Sequence, residues 1–417
     1  MSRLIVDGGI PLCGELKVQG SKNSALPVLA AAILCNAPCT IHNCPALSDT
    51  DASCRILSYL GYGVERHGAS ITVTPRDFKR YDIPEDLMRE MRSSIVFLGA
   101  ISAKAGRAHI SFPGGCELGP RPIDLHLAAL RQLGLAIEED HGWLNCRVIN
   151  RLTGANIALS FPSVGATENI LLAAVTAQGE TMIVNAAREP EVVDLAVFLN
   201  ECGAKIIGAG ESVIRVTGVK ELHGCEHAVI PDRIVAATYM AAAGITAGEV
   251  KLNGVSAMHM SPVIPVFEEA GCTVLMDGGS LVIRRHGLLR PVKNVRTMPY
   301  PGFPTDAQAP VMAMSTIAAG TSVFVENIFE NRYKHAAELI RLGAKIKTEG
   351  RVAVVEGVGR LLGAPVEATD LRGGAALAIA ALAAEGTTEI MGVRHIDRGY
   401  EDIESAIAKL GGKIRRE

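Results

Sequence analysis

At residues 341–346 the chain reads R-L-G-A-K-I, a helix-like run closed by a glycine and followed at once by a β-rich stretch. The same punctuation recurs as Y-L-G-Y-G-V at 59–64, Q-L-G-L-A-I at 132–137, E-C-G-A-K-I at 201–206, E-A-G-C-T-V at 269–274 and K-L-G-G-K-I at 409–414. The six glycines lie about 70 residues apart, each where a helix end needs a left-handed residue. A second signature runs in phase with them: an Ala-rich apolar helix, a turn, then a strand, as in L-A-I-A-A-L-A-A-E-G up to Gly386. These helices are apolar nearly all round and are predicted to be buried, whereas the helices that end at the six glycines are amphipathic and belong at the surface. Each repeat therefore reads as buried helix, strand, surface helix, strand.

Six such units divide into two α/β domains of three. A composition change over residues 218–232 sets the predicted boundary, with 21–230 as the first domain and 1–20 together with 231–417 as the second. The strand at residues 4–6 precedes the first unit and can pair with either domain.

Composition narrows the function. Hydrophobic residues make up 48% of the chain and charged ones 20%, which describes a folded globular protein with a large aliphatic interior. A net charge of -3 and an aromatic content of 4% leave neither a polyanion-attracting field nor a base-stacking platform, so nucleic acid is not the expected partner. No apolar run approaches a membrane span and no secretory signal opens the chain, so a cytoplasmic protein is expected. Most of the ten cysteines then read as reduced, small apolar residues. Cys35, Cys39, Cys44 and Cys54, with His42 among them, lack the paired C-x2-C knuckles of zinc sites, and no metal is expected of them.

Polar, mostly charged residues stand just before or at the start of each buried helix: Lys22-Asn23, Arg92, Glu168, Asp232-Arg233, Thr305-Asp306 and Asp370 with Arg372. The carboxylates suit helix caps, and Thr305 with Gln308 fits a capping box. Basic groups there oppose the helix macrodipole, and a bound anion would justify them. Side-by-side helices would gather these starts into two anion-attracting surfaces, best used facing each other across a cleft that closes. The other candidate for chemistry is the loop F-P-G-G-C-E-L-G-P-R-P-I-D-L at 112–125, where glycines and prolines exclude regular structure around Cys116, Arg121 and Asp124. Locally, Cys116 reads either as an inert turn cysteine or as a reactive thiol.

The stretches G-S-K-N-S-A-L-P (20–27), the loop with His126, F-P-S-V-G-A-T-E-N (161–169), N-A-A-R-E-P-E (185–191), G-F-P-T-D-A-Q (302–308), F-E-N-R (329–332), D-L-R-G-G-A-A-L (370–377) and D-R-G-Y-E (397–401) resemble the UDP-N-acetylglucosamine enolpyruvyl (1-carboxyvinyl) transferase family, in family order and over nearly the whole chain. The resemblance implies two inverse α/β, barrel-like domains with helices inside and sheets outside, and an N-terminal strand that returns to the second domain. It implies transfer of the enolpyruvyl group of phosphoenolpyruvate to the 3-hydroxyl of UDP-N-acetylglucosamine without metal or cofactor, in peptidoglycan synthesis, by a target of fosfomycin.

By the same resemblance Cys116 is the general acid and Asp306 the base. Lys22, Arg121 and Arg398 hold phosphate, Arg332 and Arg372 the carboxylate, and Asn23 and Asp306 position the sugar. Arg92, Arg121, Pro122, Ile123, Asp124, Leu125, Ser163, Val164, Gly165 and the backbone at Ile328 line the UDP-sugar site. Phe161 stands where some members carry a lysine near the uridine. The alternatives are a 5-enolpyruvylshikimate-3-phosphate synthase-like acceptor and a non-catalytic UDP-sugar-binding paralogue; oligomeric state is open.

Overall fold

A computed structural model describes residues 2–76, 78, 80–113 and 123–417. Twelve helices carry the repeat. They are α1 (Lys22–Ala31), α2 (Ser48–Tyr59), α3 (Phe97–Ala105), α4 (Asp124–Gln132), α5 (Val164–Ala174), α6 (Pro190–Glu201), α7 (Arg233–Ile245), α8 (Ile264–Glu269), α9 (Thr305–Ser315), α10 (His335–Arg341), α11 (Leu371–Leu382) and α12 (Ile403–Lys409). The odd-numbered helices are the apolar ones, and α7 is buried along its whole length. The even-numbered helices end at Gly61, Gly134, Gly203, Gly271, Gly343 and Gly411, all with φ between 89° and 102°. A side chain there would strain the backbone, so one residue type both stops the helix and turns the chain into the next strand.

The chain clusters into two compact units, one spanning Gly20 to Ile230 and one joining the N-terminal residues up to Gln19 to Pro231–Glu417. Within the second, α7, α9 and α11 pack on one another; within the first, α3 packs against both α1 and α5. Small residues permit this close approach, since Ala and Gly remove the side-chain bulk that would hold helix axes apart.

Each repeat also contributes a four-stranded sheet. In the third, Asn156–Ala158 runs parallel to Glu180–Val184 across the buried helix α5, and Val213–Thr217 and Lys205–Ile207 follow antiparallel. The strand burial alternates, as the period of two requires for a sheet with one face on the core. Three strands come from far along the chain, and one of them, Cys13–Lys17, lies parallel to Glu249–Asn253. Glu226–Ala228 lies parallel to Cys39–His42 and closes the first unit on itself. Leu4–Asp7 pairs antiparallel with Thr387–Met391 and Lys413–Arg416, so the N-terminal strand belongs with the 231–417 unit. No helix among the described residues is long and apolar enough to cross a membrane.

Candidate active site

In the 231–417 unit the polar constellation is built at the helix starts of α9 and α11. The three carboxylates expected as caps divide. Asp232 accepts from the amides of Ile234 and Val235, and Asp370 from those of Arg372 and Gly373. Asp306 does not cap; Pro304 holds that position without a side-chain bond. The capping box expected of Thr305 and Gln308 is absent too, because the Thr305 hydroxyl donates to Glu326 Oε2 at 2.9 Å. Asp306 is thereby left projecting from the first turn. It accepts from Arg332 Nη2 at 3.0 Å and from Arg372 Nε at 3.4 Å, one guanidinium on each oxygen.

Both arginine side chains are only 2% exposed. Arg332 also donates to the Thr305 carbonyl at 3.0 Å. Nonetheless Arg332 Nε and both terminal nitrogens of Arg372 reach no acceptor among the described residues. Buried cationic donors left without acceptors are costly, and an anionic ligand is what would satisfy them. Ile328 sits in a turn in which the Glu326 carboxylate accepts from the amides of Ile328 and Phe329 at 2.8 and 2.9 Å. Arg398 ends the 3-10 turn Val393–Arg398 and is half-buried. Gln19 holds the chain just beyond it, donating to the Gly399 carbonyl at 3.1 Å and accepting from the Glu401 amide at 3.0 Å.

The Gly20–Ile230 unit places Lys22 at the start of α1, its Nζ 3.2 Å from Asp49 Oδ2, with Asn23 half-buried beside it. That carboxylate offsets the charge that would otherwise oppose the helix dipole. Arg92 opens the 3-10 turn Arg92–Val96, which packs against α1, and donates to the Pro113 carbonyl at 3.2 Å. Ile123 precedes α4, Asp124 and Leu125 open it, and Ser163 caps α5 by accepting from the Ala166 amide, with Val164 and Gly165 in the first turn.

His126 and Asn169, to which the sequence reading gave no role, join these elements. Asn169 Oδ1 accepts from the Gly99 amide at 2.7 Å, which orients its Nδ2 to donate to the Ile95 carbonyl at 3.0 Å and to His126 Nδ1 at 2.8 Å. A Cβ on Gly165 would stand 2.9 Å from His126 Cε1, so a side chain there would push the imidazole from its place. Burial, and then the Arg92 charge, push the His126 imidazole down to about 4. The available signal was positional, since His126 and Asn169 close two of the quoted motifs. Arg92, Ile123 to Leu125, and Ser163 to Gly165 are thus gathered around one buried polar network. Cys116, Arg121 and Pro122 lie outside the described residues.

Residues 6–407 match the family model described as EPSP synthase (3-phosphoshikimate 1-carboxyvinyltransferase). The chain is 50% identical over 416 residues to UDP-N-acetylglucosamine 1-carboxyvinyltransferase 2 of Caldanaerobacter subterraneus subsp. tengcongensis, covering 100% of both. Among solved structures, the enolpyruvyl transferase NikO from Streptomyces tendae aligns with a TM-score of 0.90 at 26% identity, over 100% of this chain and 98% of that one. EPSP synthase from Acinetobacter baumannii aligns with a TM-score of 0.76 over 100% of both chains, but at 18% identity it speaks for the fold alone.

Proposed function

The chain belongs to the EPSP synthase family of enolpyruvyl (1-carboxyvinyl) transferases, and from that premise we propose that it transfers the enolpyruvyl group of phosphoenolpyruvate to the 3-hydroxyl of UDP-N-acetylglucosamine, releasing phosphate. This is the first committed step of peptidoglycan precursor synthesis, carried out in the cytoplasm on two small-molecule substrates. The observation that carries the choice of acceptor is the 50% identity, end to end, with a relative named for the UDP-sugar, against 18% with an EPSP synthase.

The reaction is an addition followed by an elimination. The sugar oxygen bonds to the substituted enol carbon, a proton adds to the methylene carbon, and the hydroxyl proton passes to a base. Loss of a proton from the new methyl group then expels phosphate and restores the double bond. Such a sequence needs a proton donor, a proton acceptor and cations for two anions. Cys116 is the donor, an ordinary thiol being mostly protonated at neutral pH. Asp306 accepts the hydroxyl proton, with Arg332 and Arg372 orienting its two oxygens and offering their remaining nitrogens to the phosphoenolpyruvate carboxylate. Lys22, Arg121 and Arg398 neutralise the phosphate. Asn23 positions the sugar, while Arg92, Arg121 to Leu125, Ser163, Val164, Gly165 and Ile328 line the UDP-sugar site.

Phosphate release in the presence of each acceptor tests the reading. Turnover with UDP-N-acetylglucosamine and none with shikimate-3-phosphate is expected. The opposite pattern would overturn it, and no turnover with either would favour the binding-only paralogue.

A further inference from the structure

Outside this machinery the fold gathers four cysteines in the Gly20–Ile230 unit. Cys35 follows the 3-10 turn Ala32–Leu34 and bridges to Leu222, and Cys39 begins the strand Cys39–His42. Cys202 caps the C-terminus of α6, and Cys225 stands just before the partner strand Glu226–Ala228, its carbonyl accepting from the Thr40 amide at 2.9 Å. The sulfurs of Cys35, Cys39 and Cys202 all lie within 4.8 Å of one another. Cys225 Sγ is 3.2 Å from Cys202 Sγ. The Cys39 sulfur interacts with all three of the other thiols and with the Cys225 backbone amide. Cys35, Cys39 and Cys202 are buried, and Cys225 is half-buried.

Packing alone does not ask for this. Among the described residues, buried Cys146 and Cys272 belong to no such cluster and fill space as small apolar residues do. Three sulfurs in mutual reach, with a fourth beside one of them, are what a tetrahedral metal can draw together, because zinc–sulfur bonds of about 2.3 Å set neighbouring sulfurs about 3.8 Å apart. One disulfide would join two of the four and leave the other two with no reason to converge. The surroundings suit a site made anionic by four thiolates. Lys104 interacts electrostatically with Cys35 and donates to Asn36 Oδ1 at 2.9 Å, and the Cys225 amide faces the Cys39 sulfur.

We infer that Cys35, Cys39, Cys202 and Cys225 form a closed four-thiolate site for one thiophilic divalent cation of the zinc class. Each thiol gives up its proton to solvent as its sulfur binds, and the ion ties the first repeat to the third. Its role is structural, since four protein ligands leave no open position for a substrate.

The test uses the reduced full-length protein. Titration with cobalt(II) should produce the thiolate-to-metal charge-transfer band of a tetrahedral sulfur site at one ion per chain, with zinc displacing it. Cys202→Ser should lose the band. So should Cys225→Ser, which is half-buried and spares the core if the first variant fails to fold. Cys116→Ser and Cys54→Ser should keep it. No band in the wild-type protein would overturn the inference, as would a band lost in Cys116→Ser but kept in Cys202→Ser. Metal-free isolation with two of the four cysteines joined in a disulfide would overturn it as well.

Discussion

His126 makes the stability of the Gly20–Ile230 unit depend on pH in a way that can be worked out beforehand. Its imidazole moves from an ordinary 6.5 down to about 4 on folding, mainly through burial and then through the Arg92 charge. A histidine with a lowered folded value is held neutral, so the stability it contributes is complete above 6.5 and is lost as pH falls toward 4, where only the unfolded chain takes the proton readily. Between pH ~7.5 and pH ~5 the linkage relation gives a loss of about 2 kcal/mol from this one group.

Trp143, the single tryptophan, lies in the same unit and stacks on His109 with ring centroids 4.6 Å apart, so its fluorescence reports unfolding of that unit in urea. Other groups titrate over the same range, and the comparison that isolates His126 is His126→Asn, whose amide oxygen can replace Nδ1 as the acceptor for Asn169. The variant should be less stable at neutral pH, from lost packing, but its stability should fall by about 2 kcal/mol less than that of wild type across the two pH values. Equal pH slopes in the two proteins would refute the reasoning.

Two further outcomes are expected at the reacting groups. Arg332→Lys and Arg372→Lys keep the charge but lose the guanidinium nitrogens, so kcat/KM for phosphoenolpyruvate should drop on the order of tenfold to a hundredfold, about 1.5–3 kcal/mol, with the KM for UDP-sugar little changed; wild-type kinetics would remove both residues from carboxylate binding. Cys116→Ser should abolish turnover while UDP-sugar binding, followed by calorimetry, persists, and intact mass after incubation with fosfomycin and UDP-sugar should show one adduct in wild type and none in the variant; full activity of the serine protein would show that the thiol is dispensable.

Much of this molecule is local, and the local part was legible. A glycine that ends a helix, an apolar helix that must be buried and an alternating strand each reveal themselves within about ten residues, because backbone sterics and hydrophobic period act over that range. Six copies of one pattern therefore disclosed the repeat, and long motifs disclosed the family. Partnerships were not legible, because spacing does not say which helix starts the packing of repeats will bring together. Asp306 read as a cap on local grounds and proved to be held by Arg332 and Arg372, 26 and 66 residues further on. Cys35 and Cys39 stand near Cys44 and Cys54 in the sequence, yet they converge with Cys202 and Cys225. That convergence exists because Glu226–Ala228 returns to lie beside Cys39–His42, a strand pairing that becomes favourable only once three repeats have closed around shared helices. Sequence alone determined the elements and their kinship; the tertiary structure decided which charges and which sulfurs meet, since those distances are set by the closure of the whole unit.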